Sequence, residues 1–229
     1  MVRRIFLLFF VVALAPACAG PGISAQSTPT PGIVTPPAGT SAPELAPDPA
    51  GLAAFQIDPT ASEARFVIDE ILNGSPNTVV GATREIQGEI RVDAEEPILS
   101  VVGPISIDAE SFVTDNGFRN RAIHRFILEA NNFPAITFVS TALEGLPSPA
   151  SVGQTYAFRL TGDLTIRDTT RSVTFEVTLT VQSADRLSGS ATATIQRSEF
   201  GLSIPSVPQV AEVSNEVILE VDFIAVRTG

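Results

Sequence analysis

The chain has 229 residues, with 14 basic side chains that are all arginine, 25 acids, one histidine, one cysteine, one tyrosine and no tryptophan. Without lysine no Schiff-base chemistry is available, and a net charge of -11 repels nucleic acid and anionic lipid headgroups. A single cysteine excludes an internal disulfide, so the fold must stand on its core.

At the amino terminus Arg3 and Arg4 precede the apolar run IFLLFFVVAL and then APAC, which is the order of a secretory signal. The run is shorter than the roughly 20 apolar residues that span a bilayer. Residues 1–17 therefore read as a signal peptide, and the chain as exported to a periplasmic or other extracytoplasmic location. Cys18, directly after Ala17, resembles the lipobox cysteine of bacterial lipoproteins, which is diacylated and anchors the protein to a membrane. Ala15 and Pro16 depart from that pattern, and simple cleavage that leaves a free thiol is the alternative. Loss of residues 1–17 removes two arginines and no acids, so the mature charge is 12 minus 25, or -13.

Residues 19–54 hold eight of the 18 prolines and only two charges, Glu44 and Asp48. Such a stretch cannot build a core. As a coil its 36 residues span about 30–36 Å. With Cys18 it forms a tethering segment, 18–54, ahead of one domain at 55–229.

From Phe55 onward the hydrophobic period is two. In YAFRLTGDLTI, residues Tyr156, Phe158, Leu160, Leu164 and Ile166 share one face while Thr155, Arg159, Thr161, Asp163 and Thr165 share the other. VTFEVTLTV repeats the pattern with Val173, Phe175, Val177, Leu179 and Val181 inward. The intervening RDTT suits a tight hairpin turn. ARFVIDEI, EIQGEIRVD, ISIDAE, AITFVSTAL, GSATATIQR and VILEVDFIAV alternate likewise, giving about eight strands for a closed antiparallel barrel or a sandwich. Gly88, Gly162, Gly189, Ala191 and Ala193 fall on the apolar phase. Small residues there leave room for a ligand in an eight-stranded barrel, whereas a sandwich core needs bulk, so the barrel is favoured.

One segment, FRNRAIHRFILEANNFPAITF at 118–138, changes period. Ile123, Phe126, Ile127 and Ala130 form the stripe of a short amphipathic helix, capped by Asp115 or Asn116 and ended by Phe133-Pro134. Arg121, His124 and Arg125 then occupy the opposite face. His124 could be a general base, but no nucleophile or orienting partner accompanies it, and a solvated face is the plainer reading. One histidine and one cysteine make no zinc site of the usual type. The acids are scattered along strands rather than clustered for calcium, and no carboxylate pair is singled out for glycoside hydrolysis. No glycine-rich phosphate loop precedes a helix. The residues point to a binding protein, not an enzyme, and to no metal.

Six stretches in order, FQIDPTASEARFVI, VVGATREIQGEIRVD, FRNRAIHRFILEANNFPAITFVST, LTGDLTIRDTTRSVTFEV, IQRSEFGL and VSNEVILEVDF, together resemble the YceI-like family of bacterial lipid- or polyisoprenoid-binding proteins. The resemblance covers essentially all of 55–227. It implies an all-β, lipocalin-like barrel with an internal apolar channel for a long isoprenoid, quinone-like or fatty-acyl chain, and no covalent cofactor. The positions that carry it include Arg119 with Ile123, Phe133-Pro134, and Arg197, Ser198, Phe200 and Gly201. Asn120 stands where the family commonly has Asp, Phe133 where it has Tyr, and Asp168 where it has a turn Gly; VIDEI lacks a frequent histidine.

The channel-lining candidates are Phe66, Phe112, Ile123, Phe126, Ile127, Phe138, Phe158, Leu160, Phe175, Val177, Ala191, Ala193, Ile195 and Phe200. Arg121, Arg125 and Arg197 are headgroup candidates. For Arg197, whose strand phase is inward, a structural pairing with an acid or backbone carbonyls is the competing role. The leading function is a membrane-tethered carrier or sequestering protein for a long apolar lipid. An envelope stress or redox accessory delivering a quinone, and an adhesion module with a filled core, are the alternatives. The partners expected are the lipid and the membrane, with no nucleic acid; a homodimer is compatible with the pattern.

Overall fold

The computed structural model describes residues 52–228, so the leader, Cys18 and nearly all of the tether lie outside the described residues. Leu45–Gly229 is one compact unit. Among the described residues its sheet and core are built from its own side chains, which is what a domain that folds alone requires.

Thirteen strands follow in chain order: β1 (Ala53–Ile57), β2 (Glu63–Leu72), β3 (Ser75–Thr83), β4 (Ile86–Gln87), β5 (Glu89–Val92), β6 (Val101–Val102), β7 (Ile105–Asp108), β8 (Ala135–Glu144), β9 (Thr155–Ile166), β10 (Thr169–Ser183), β11 (Arg186–Gln196), β12 (Val210–Val213) and β13 (Glu216–Arg227). They pair into one curled antiparallel sheet, the lipocalin-like all-β fold expected from the sequence. β4 pairs with β7, and after Gly88 the same run continues as β5 and pairs with β1. Those two contacts join the ends of the order β7-β8-β9-β10-β11-β13-β1. The sheet thus curls back on itself through Ile86–Val92. β13 carries β1 on its second half and β2 on its first, and β2 adds β3 and β12.

The period-two reading holds along the long hairpins. On β9, Leu160, Leu164 and Ile166 are buried, and on β10, Val173, Phe175 and Val177. The outward phase is laced by cross-strand threonine pairs, Thr155–Thr180 at 2.8 Å, Thr161–Thr174 at 2.9 Å and Thr165–Thr170 at 2.8 Å. The β9–β10 turn has two residues, Arg167 and Asp168, flanked by the Ile166↔Thr169 pair. Arg167 takes a left-handed φ of 59°. The strands without a counterpart in the sequence reading are β1, β6, β12 and, the longest of them, β3. Its signal was Asn73-Gly74, whose φ values of 51° and 79° make the left-handed two-residue hairpin that Asn-Gly favours.

Three of the small inward residues, the glycines, act differently from expectation. A Cβ on Gly162 lies 2.5 Å from Phe138 Cζ, and one on Gly189 lies 2.7 Å from Phe223 Cζ. A Cβ on Gly88 meets the Ile105 side chain, 3.3 Å from Ile57 Cδ1 as well. These glycines seat rings and methyls of neighbouring strands instead of opening space, a packing of aromatics over strand glycines. The barrel conclusion stands, although of the five small inward residues Ala191 alone lines the interior space.

The helix also departs from a regular 3.6-residue turn. α1 covers Gly117–Ala122, and the next turn, Ile123–Ile127, is a π-helical turn closed by Leu128 N–H donating to Ile123 O at 2.8 Å. Asn116 is the cap, its Oδ1 accepting from Phe118 N at 2.8 Å and Arg119 N at 3.2 Å. The wider turn rotates the stripe. Ile123, Leu128 and Ala130 are buried, while Phe126 is 63% exposed.

Candidate functional site

A cavity of about 1200 Å³ runs inside the curled sheet. Its wall is aliphatic and aromatic, with contributions from nearly every strand. Phe66, Phe112, Ile123, Ile127, Phe138, Phe158, Leu160, Phe175, Val177, Ala191 and Ile195 line it, as the sequence pattern proposed. Three candidates are corrected. Phe126 points outward because of the π turn. Ala193 and Phe200 are 5% and 1% exposed and belong to the packed core, but they do not line the cavity. Ile90, Ile105, Ile107, Leu143, Leu219 and Phe223 also line the cavity and were not singled out. Ile90, Ile105 and Ile107 sit on four-residue strands, where period two is too brief to rank one position over another, and Leu143 follows the irregularity between Ser140 and Ala142 on β8; Leu219 and Phe223 lie on the long β13, whose alternation marks them.

The cavity extends from one end of the sheet to the other. Val217 and Arg227 both line it and are ten residues apart on β13, about 33 Å at the usual rise. At one end stand the helix, the β9–β10 turn and β12; at the other the β10–β11 turn and the 145–154 loop. That loop is tied down by Gly153 N–H donating to Val181 O at 2.7 Å and Ala150 N–H to Ala94 O at 2.9 Å. Leu146, Pro147, Ala150 and Val152 line the cavity there.

The polar groups of the helix end are almost all committed. Glu70, only 8% exposed, accepts from Arg119 Nη2 at 2.9 Å and from Asn77 Nδ2 at 2.9 Å. Arg119 also pairs with Asp115. Asn120, in the position of a family Asp, keeps an acceptor role: its Oδ1 takes hydrogen bonds from Thr114 N at 2.8 Å and Thr114 Oγ1 at 2.7 Å. Arg197 lines the cavity, yet its guanidinium donates to Ser214 O at 2.9 Å, Leu202 O at 3.0 Å and Val213 O at 3.4 Å. Its role is the structural one, clamping the chain after β11 against the start of β13. Headgroup contact through Arg197 is therefore not supported.

His124 is half-buried rather than on a solvated face. Its Nε2 lies 2.7 Å from Phe112 O and ties the helix to the wall. Arg121 and Arg125 do not reach the cavity. Arg121 lies 4.5 Å above the ring of Phe118, and Glu129 pairs with Arg167 at 2.6 Å instead of with Arg125. Among the described residues no cluster of three or more His, Cys, Asp or Glu is placed to hold a metal ion.

Among the described residues Asp58 and Arg65 are displaced from their ordinary values. The Thr60 hydroxyl, 2.6 Å from Asp58 Oδ1, and then the Thr60 amide hold the Asp58 carboxyl below the usual carboxylate range. Asp222, Glu63 and Glu220 around Arg65 push its guanidinium still higher.

Fold and cavity together define a hollow antiparallel lipocalin-like barrel. Residues 55–225 match the model of the YceI-like domain, and the chain belongs to that family. It is 27% identical over 159 residues to UPF0312 proteins of two Pseudomonas putida strains, W619 and GB-1, covering 67% of this chain and 78% of theirs. Among solved structures, Burkholderia cenocepacia BcnA superposes with a TM-score of 0.59 at 23% identity, over 73% of this chain and 98% of its own. A polyisoprenoid binding domain from Saccharophagus degradans, implicated in plant cell wall breakdown, superposes with a TM-score of 0.60 at 17% identity, over 77% of this chain and 99% of its own. At these identities the two structures establish the fold.

Proposed function

We propose that this protein binds a long, predominantly apolar lipid chain inside the barrel, as an exported carrier or sequestering protein tethered to a membrane through Cys18. The carrying observation is the cavity of about 1200 Å³, apolar along its length and reaching both ends of the sheet. It exceeds the roughly 300–1,000 Å³ of ordinary small-ligand pockets. About 33 Å of wall suits an extended chain better than a compact molecule. A chain that buries about 400 Å² of apolar surface gains on the order of 10 kcal/mol before the costs of association. The polyisoprenoid-binding description of the S. degradans domain supports the same ligand class. A module with a filled core is incompatible with this much interior space.

The leader pattern, the position of Cys18 and the proline-rich segment support export and tethering. Because Arg119 and Arg197 are committed to Glu70, Asp115 and backbone carbonyls, the cavity wall at the helix end suits an uncharged headgroup better than a phosphate. Organic extraction of the purified protein followed by mass spectrometry tests the reading. A stoichiometric polyprenyl, quinone or acyl species is expected. An empty extract from a folded protein that also fails to take up a labelled polyprenol refutes it.

A further inference from the structure

The segment FRNRAIHRFIL, 118–128, has three arginines, one histidine and no acid in a chain of net charge -11. Within it Phe118 is 80% exposed and Phe126 63%. They are eight residues apart, one α turn plus one wider π turn, so both project along one line of the helix about 12 Å apart. Arg121 and Arg125, one turn apart, follow a parallel line beside them and are exposed. Among the described residues neither arginine has a carboxylate partner. The nearby acids Asp115 and Glu129 are taken by Arg119 and Arg167. Val113 and Val207, 60% and 40% exposed, add apolar surface at the same end. Phe118 and Val207 also line the cavity, so this patch is continuous with its opening.

We infer that this end of the barrel, led by Phe118, Phe126, Arg121 and Arg125, is a docking surface for an anionic membrane, through which lipid passes between the bilayer and the cavity. Exposed phenyl rings beside arginines are the composition of an interfacial helix, rings entering the headgroup boundary and guanidinium groups meeting phosphates. The stacking of Arg121 over Phe118 holds the cation at the level of the ring. The acidity of the rest of the surface works with the patch: it is repelled by the same bilayer, so only this face can approach, and the cavity opens toward the lipid. The inference rests on the lipid reading of the cavity for its purpose, not for its test.

The experiment uses the compact unit Leu45–Gly229, which lacks the leader and Cys18, in sedimentation with vesicles of phosphatidylglycerol and phosphatidylcholine in equal parts, and with phosphatidylcholine alone. The variants are Phe118→Ala/Phe126→Ala, Arg121→Gln/Arg125→Gln, and Arg186→Gln at the opposite end as control, each verified by its melting curve. Binding is expected to the anionic vesicles and to fall with salt. It should weaken about fivefold for each arginine removed, and at least tenfold without the two rings. Arg186→Gln should match the wild type. Equal binding by all four proteins, or none by the wild type while it still takes up a labelled polyprenol, overturns the docking surface and leaves the lipid reading intact. Vesicle binding without polyprenol uptake supports docking and removes the lipid reading. If the two rings instead hold a dimer, seen as a mass halved by Phe118→Ala/Phe126→Ala in sedimentation equilibrium, the face belongs to a second copy and the inference fails.

Discussion

The rings that lie over strand glycines make a demanding test of how this barrel stays hollow. A Cβ on Gly189 falls 2.5 Å from the carbonyl oxygen of Thr178 and 2.7 Å from Phe223 Cζ. The oxygen belongs to β10, whose Leu179 pairs with Gly189 itself, so relief requires two hydrogen-bonded strands to part. Gly189→Ala should cost about 3 kcal/mol, at the upper end of overpacking. At Gly81→Ala the three nearest atoms all belong to the Phe66 ring, 3.0 Å for Cδ1 and closer for Cε1 and Cζ. That ring lines the cavity and can swing into it. The cost is then an off-rotamer χ of about 1 kcal/mol, plus up to about 1 kcal/mol from the tilted Phe66–Phe112 contact. In thermal melts of the delipidated protein, Gly189→Ala should lose about 6–12 °C and Gly81→Ala about 2–8 °C. Titration with a fluorescent polyprenol should show the reverse order: Gly81→Ala loses most of its uptake because the displaced ring occupies the channel, while any folded Gly189→Ala retains more. Equal melts with full uptake by Gly81→Ala would refute the view that rings seated on glycines define the bore.

Ala191→Phe and Ala193→Phe should separate in the same two assays. Ala191 faces the cavity, so its variant should lose uptake with little change in melting, whereas buried Ala193 should cost about 1–3 kcal/mol through overpacking. Arg197→Met removes donors from three backbone carbonyls and should destabilise by about 3 kcal/mol in urea titration, and Arg197→Lys should not rescue it, since one ammonium cannot span that fork. Asp58 has a folded value below the unfolded one, so its contribution is present above the ordinary carboxylate range and is lost as pH falls through the lowered folded value. Thr60→Val removes the main cause, and carboxyl NMR titration should show Asp58 moving back up.

Long strands were legible and short ones were not, for one reason. β9, β10, β11 and β13 each run eleven residues or more, so an alternation such as Phe158, Leu160, Leu164 and Ile166 repeats often enough to fix the inward phase. β4 and β6 have two residues each, and no period can be read from two. Their places in the sheet come from partners distant in sequence, as when Ile86 meets Ile107 and Ile90 meets Val102. Asn73-Gly74 marks the β2–β3 hairpin plainly, through turn chemistry and not through hydrophobic period. At Ala53 the first strand begins two residues inside what composition assigns to the tether, because alanine is common to linkers and to tightly packed strands.

The cavity was legible as a class but not as a surface, and the helix shows why. A 3.6-residue wheel puts Phe126 with Ile123, and one π-helical hydrogen bond, Leu128 N–H to Ile123 O, takes it out again. No residue in IHRFIL encodes that wider turn by propensity. Tertiary ties hold the segment from several sides: Arg119 to Glu70 on β2, His124 to Phe112 O, and Arg167 of the β9–β10 turn to both Glu129 and Ile127 O. Glu129 and Arg167 both carry left-handed φ values, 49° and 59°, at the two ends of their ion pair. Two residues that are uncommon in that region occupy it together because the pairing across elements over-determines them. The chemistry of the helix end therefore follows from which cations those ties consume and which they leave. Arg119, Arg167 and Arg197 are consumed in holding the mouth of the barrel, and Arg121 and Arg125 are left facing outward beside the two exposed rings.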